Sequence, residues 1–115
     1  MVDLFKALSE ESRLRIVSLL IDRELCVCEM EACLNMTQSN VSRHLIALKS
    51  CGILASEKHA QWTYYRISER FVEENGELWE YLKRRLKELP TYQSDCAQCL
   101  KYQEQDFCGS QKRPH

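Results

Sequence analysis

No apolar run in this chain of 115 residues approaches the length of a bilayer span, and the amino terminus lacks the layout of an export signal. A membrane partner is therefore not expected, and a cytoplasmic chain is. The glycines form no phosphate-binding loop, no paired-carboxylate or nucleophile–base pattern stands out, and an enzyme is not expected. The three histidines form no metal-binding motif. Net charge is nearly absent, −1 at pH 7, which excludes a nucleic-acid binder that is basic throughout. Neither repeats nor a linker separate the chain into two globular parts.

What is present is a soluble composition, 44% apolar and 29% charged, sufficient for one small core that a partner subunit would help to cover. The charge is unevenly placed. Between positions 37 and 66 stand four cations, Arg43, Lys49, Lys58 and Arg66, against Glu57 alone. Between 9 and 35, six acids outnumber three arginines. The basic excess falls where a nucleic-acid surface would need it.

Residues 37–54, TQSNVSRHLIALKSCGIL, organise the rest. Thr37 can cap the first free N–H groups, Val41, Leu45, Ile46 and Leu48 form an apolar stripe, and Cys51-Gly52 closes the helix. The other face carries Gln38, Ser39, Asn40, Ser42, Arg43 and Lys49, with no acid. Amide, hydroxyl and cationic groups on one face suit a DNA major groove, where Gln, Asn and Arg pair with base edges and Ser and Lys hold phosphates. A solvated surface helix is the plain alternative. His44 either contacts DNA or sits at the edge of this face.

Around that stretch the pattern predicts a short helix over 3–8 and a second, capped by Ser9, whose dense apolar positions (Leu14 to Ile21) place it centrally. A third short helix over 24–34 precedes an Asn35-Met36 turn, giving a helix-turn-helix. Two strands, 53–58 and 62–67, flank His59-Ala60-Gln61 as a β-hairpin wing, with Lys58, His59 and Tyr64 as candidate DNA contacts. Trp62, Tyr65 and Ile67 read as core. Residues 68–89 form a long helix, ended by Pro90 and weakened at Gly76. Its apolar side exceeds what the domain alone should bury, which suits a symmetric dimer on a two-fold operator. The expected architecture is mainly α with a β-hairpin wing (α+β), a homodimeric winged helix-turn-helix over residues 1–90. A cysteine-containing C-terminal tail, 91–115, follows, and its last residues are expected to be disordered.

Seven cysteines in a cytosolic chain point to metal binding or thiol chemistry rather than a disulfide framework. Cys26 and Cys28 lie at the amino end of the third helix, where the dipole favours thiolate. Two residues apart, they point roughly 200° apart on a helix and share a face only in an extended segment. One ion can take both sulfurs only if this turn is not fully helical, so capture would strain or unwind it. Soft sulfur selects arsenite, antimonite, Cd(II), Pb(II), Cu(I) or Zn(II). Two buried structural cysteines would give the same spacing. Cys96 and Cys99, three apart, with Cys108 beyond, form a second cluster. Cys33 and Cys51 read as structural.

LFKALSEESRLRIVSLL, ELCVCEME, TQSNVSRHLIALKSCGIL and WTYYRIS together resemble the arsenic-repressor (ArsR/SmtB) family of dimeric winged-helix repressors. The resemblance implies an apo dimer on double-stranded operator DNA, released by a thiophilic ion, with Cys26 and Cys28 matching the first two cysteines of the ELCVC sensor motif. Three departures stand out. Glu31 occupies the place of the third cysteine usual in arsenite sensors. The chain begins almost at the first helix, before which cadmium/lead sensors carry further thiolates. No histidine lies between Phe71 and Pro90, where the family's zinc site has one. Cys96, Cys99 and Cys108 are then expected to complete the site, within or across subunits: three sulfurs for As(III) or Sb(III), four for Cd(II), Pb(II) or Zn(II). The competing readings are a Cd(II)/Pb(II)-responsive repressor, a thiol-redox repressor and, in another class, a metal-scavenging or thiol-exchange protein.

Overall fold

The structure is a computed structural model that describes residues 2–105. Its elements run α1 (Val2–Ala7), α2 (Glu11–Leu19), β1 (Leu25–Cys26), α3 (Val27–Leu34), α4 (Gln38–Ser50), β2 (Leu54–His59), β3 (Trp62–Ile67), α5 (Glu69–Glu74), α6 (Gly76–Leu86) and α7 (Tyr92–Gln105). Among the described residues no helix is long and apolar enough to cross a membrane.

Helix α2 is the central strut. Ile16, Val17, Leu19 and Leu20 are buried, and α3, α4, α6 and α7 all pack on it. Ser9 does not cap it: its Oγ donates to the Lys6 carbonyl at 2.7 Å, and Glu10 takes the N-cap place without a side-chain bond. So close to α1, the hydroxyl meets that helix's free carbonyls first.

Helix α4 begins and ends as its sequence directs. Thr37 Oγ1 accepts from the Asn40 N–H at 3.2 Å. At the other end Gly52 takes φ +88°, the Gly52 N–H reaches the Lys49 carbonyl, and the Ile53 N–H reaches that of Leu48. These are the two bonds of a Schellman closure, with buried Leu48 and Ile53 completing it. Val41, Leu45 and Leu48 are buried as expected, but Ile46 is not: it is 68% exposed. Five residues beyond Val41, it falls off the stripe that four- and three-residue steps define.

The wing is a three-stranded antiparallel sheet, order β1-β3-β2, rather than a hairpin alone. β2 and β3 pair from Leu54↔Ile67 to His59↔Trp62, which leaves Ala60-Gln61 as a two-residue turn with Ala60 at φ 58°. Leu25 and Cys26, expected to be helical, pair instead with Tyr65 and Tyr64. Residues 68–89 divide at Asn75 into α5 and α6, so the weakness at Gly76 is a break. Phe71 and Trp79 close the corner edge to face at 6.0 Å.

From Tyr92 the chain forms α7, docked along α3 and α2. Its buried stripe holds Asp95 and Cys99, polar residues that carry no apolar periodicity. Arg15 of α2 grips Asp95 with two bonds, Nε–Oδ2 3.0 Å and Nη2–Oδ1 2.8 Å, and also donates to the Leu34 carbonyl at the end of α3. One guanidinium thus joins three helices. Removing it strands a buried carboxylate: Arg15→Met should cost about 3 kcal/mol in urea denaturation, and adding Asp95→Leu should recover most of that loss.

Candidate nucleic-acid interface and thiol site

On α4, Gln38, Ser39, Asn40, Arg43 and Lys49 are exposed and Ser42 half-buried. The capping bond occupies Thr37. Lys49 Nζ donates to Ser56 Oγ at 2.7 Å, tying the helix to the wing. The five exposed groups stand on one outward surface of the helix, polar or cationic throughout.

Three expected contacts point elsewhere. His44 is only 4% exposed. Arg13 Nε donates to its Nδ1 at 3.1 Å, and Glu10 stands 3.8 Å from the same nitrogen. Its place is structural, bracing α4 against the start of α2, because three residues after Val41 and four before Leu48 a side chain lies on the buried stripe. Tyr64 is buried too, at 2% exposure. Its ring packs 5.8 Å from that of His59, which is half-buried and bonded through Nε2 to Glu57 at 2.8 Å. Of the three wing candidates, only Lys58 is exposed.

The cysteine pair has a geometry that spacing alone left open. Pairing of β1 with β3 holds Cys26 extended (φ −91°, ψ 171°), and α3 starts only at Val27. Cys26 is therefore the N-cap, its N–H bonded to Glu29 Oε1 at 3.0 Å in a capping box. The two sulfurs stand 3.3 Å apart. A tetrahedral ion with bonds of ~2.3 Å to sulfur sets its ligands roughly 3.8 Å apart, so once Cys28 is reduced the two sulfurs fit a soft ion with a small adjustment and α3 need not unwind. Cys26, Cys33, Cys51, Cys96 and Cys99 are free thiols, and Cys28 is held in a disulfide. Burial pushes the Cys26 thiol up, with the Glu29 carboxylate adding, against N–H bonds from Glu29 and Cys28 that work the other way. The helix terminus does not make it a thiolate; an ion must displace a proton.

The pair borders a cleft of about 330 Å³ whose walls include Glu31, Gln38 at the start of α4, and Gln61 and Trp62 of the wing. Spacing gave no sign of this junction, since it depends on β1 docking beside β3.

The other cysteines divide. Cys96 is half-buried, 3.8 Å from Arg23 Nη1. Cys99 is buried against Cys33, whose thiol that contact and burial push upward. Burial raises the Tyr102 phenol, and Cys26 and Glu29 add to the rise. Among the described residues no three Cys, His, Asp or Glu side chains form a metal-holding group. Cys108 lies outside the described residues.

A helix-turn-helix with a sheet-borne wing and a polar, acid-free outer face on α4 defines a winged helix-turn-helix fold. The profile of the bacterial regulatory proteins of the arsR family matches residues 10–56. The chain is 37% identical to the arsenical resistance operon repressor of Bacillus subtilis over 79 residues, 68% of this chain and 73% of that one. It is 46% identical over 67 residues to the arsenic resistance transcriptional regulator ArsR2 of Pseudomonas putida, 57% of this chain. It spans 58% of that relative's length. A homodimeric winged helix-turn-helix DNA-binding domain from Mycobacterium bovis, described as a possible ArsR-family regulator, superimposes with a TM-score of 0.62 at 28% identity, covering 76% of this chain and 80% of that one. The chain belongs to the arsR family.

The His44 brace should sense acid. Burial lowers its pKa, the nearby Arg43 and Arg13 charges lower it further, and Glu10 opposes them. The unfolded chain then takes up a proton near the usual value of about 6.5 while the folded chain does not. This share of stability is complete above that pH and is lost as pH falls toward the folded pKa. Thermal unfolding between pH 7.5 and 5.5 should show a steeper loss for the native chain than for His44→Asn, which keeps an acceptor for Arg13.

Proposed function

We propose that this chain is a transcriptional repressor that binds operator DNA as a homodimer and lets go when a thiophilic ion binds Cys26 and Cys28. As(III) or Sb(III) is the first inducer, with Cd(II), Pb(II) and Zn(II) as alternatives. A regulator of this kind works on DNA in the cytoplasm and needs no catalytic machinery. The observation that carries the reading is the sulfur pair, 3.3 Å apart, on the wall of a cleft that Gln38 and Gln61 also line. Ion capture in the reduced chain alters that wall, and with it the relation between α4 and the wing. Gln38, Ser39, Asn40, Ser42 and Arg43 read bases and phosphates, and Lys49 and Lys58 hold the backbone. Val2 and Phe5 on α1 are large apolar side chains left exposed, suited to contact with the second copy. As(III) needs a third sulfur. With Cys99 engaged by Cys33, Cys96 and Cys108 are the remaining donors from the carboxyl-terminal side.

A second reading, release by thiol oxidation, is favoured by one observation: Cys28, beside Cys26 on the cleft wall, is held in a disulfide.

Fluorescence anisotropy on a duplex selected by the protein from a random library tests both. As(III) should release the reduced native dimer, whereas Cys26→Ser and Cys28→Ser proteins should bind DNA normally and stay bound. Release of those variants by As(III) would refute the ion site. Release by peroxide without any ion, abolished by Cys28→Ser, would replace it with the redox reading.

A further inference from the structure

We propose that Ile46 is a specificity-determining residue, which reads the 5-methyl group of a thymine in the major groove. The proposal rests on the DNA-binding reading of α4. Ile46 has the highest exposure, 68%, among the large apolar side chains exposed in the described residues. It stands seven residues after Ser39, four after Ser42 and three after Arg43. At 100° per residue, seven steps fall about 20° short of two full turns. Its side chain therefore lies almost directly in line with Ser39 and between the directions of Ser42 and Arg43. Val41, Leu45 and Leu48, buried on the opposite side, hold α4 to the core, so Ile46 adds nothing to that packing.

An isoleucine placed there gives the surface a group that cannot pair with a phosphate or a base-edge donor. What the major groove offers an apolar side chain is the thymine methyl, and contact with it distinguishes A·T from the other pairs. The surrounding groups favour a polyanion over a second copy of the chain as occupant. Arg43, Lys49 and the hydroxyls of Ser39 and Ser42 flank Ile46, and α4 carries no acid. A self-interface on this face would bring like charges together, whereas DNA would neutralise them.

The test starts from duplexes selected from a random library by the reduced native protein. Each thymine of the selected site is replaced in turn by uracil, which removes only the methyl group, and affinity is measured at fixed salt. One position in each half-site should weaken native binding roughly fourfold, the worth of one methyl group withdrawn from water. Ile46→Ala protein should be indifferent to uracil there, and selection repeated with Ile46→Gln should lose the thymine preference at that position. The exposure of Ile46 keeps both variants folded, which circular dichroism checks. Equal sensitivity to uracil in native and Ile46→Ala proteins would overturn the proposal. So would dissociation of the Ile46→Ala dimer in sedimentation, which would make Ile46 an interface residue. Failure of the native protein to select any duplex would overturn the DNA-binding reading itself, a different result from either.

Discussion

Two residues of strand hold the functional parts of this molecule together. Leu25 and Cys26 pair with Tyr65 and Tyr64, and that short ladder decides three things at once. It attaches the wing to the body. It keeps Cys26 out of the helix, so α3 starts one residue later. It also turns the Cys26 sulfur toward Cys28, where a continuous helix would have sent them to opposite sides. The capping box with Glu29 then fixes the helix start from within. A cysteine here fills a place that serine or threonine usually takes in such a box, so a thiol is built into the joint between sheet and helix.

From that joint the route to the polar outer face of α4 is short. The cleft beside the sulfur pair touches the first residue of α4 and the turn of the wing, and Lys49 ties the far end of α4 back to Ser56 of the same wing. The recognition helix and the wing are thus coupled at both ends, once by a hydrogen bond and once across the wall that the cysteines form. Under the proposed function, a ligand at the cysteines has to move only the nearest side chains to disturb the relation between α4 and the wing.

Helix α7 adds a second layer. Its docking depends on Arg15 and Asp95, on the Cys33–Cys99 contact and on Tyr102 near the sulfur pair. The ion pair between Arg15 and Asp95 works here beside Cys96 and Cys99, which pack with the apolar core.

The sequence by itself determined the recognition helix, its cap at Thr37 and its closure at Gly52, because these rest on contacts within a few residues. The wing strands and the central place of α2 were legible for the same reason, from alternation and from apolar density. The C-x-C spacing singled out the two cysteines whose sulfurs stand together. Where local pattern was followed too loosely, the error was also local: Ile46 and His44 exchange places relative to the expected faces, and strict helical steps from Val41 would have assigned both. Only the tertiary structure decided the rest. The strand at Leu25–Cys26 exists because β3 lies beside it, forty residues away in sequence. Tyr64 and His59 turn inward because a neighbour in space receives them. Asp95 and Cys99, the buried residues of α7, have no apolar rhythm to announce them, since Arg15 and Cys33, which hold them, lie far off in the chain.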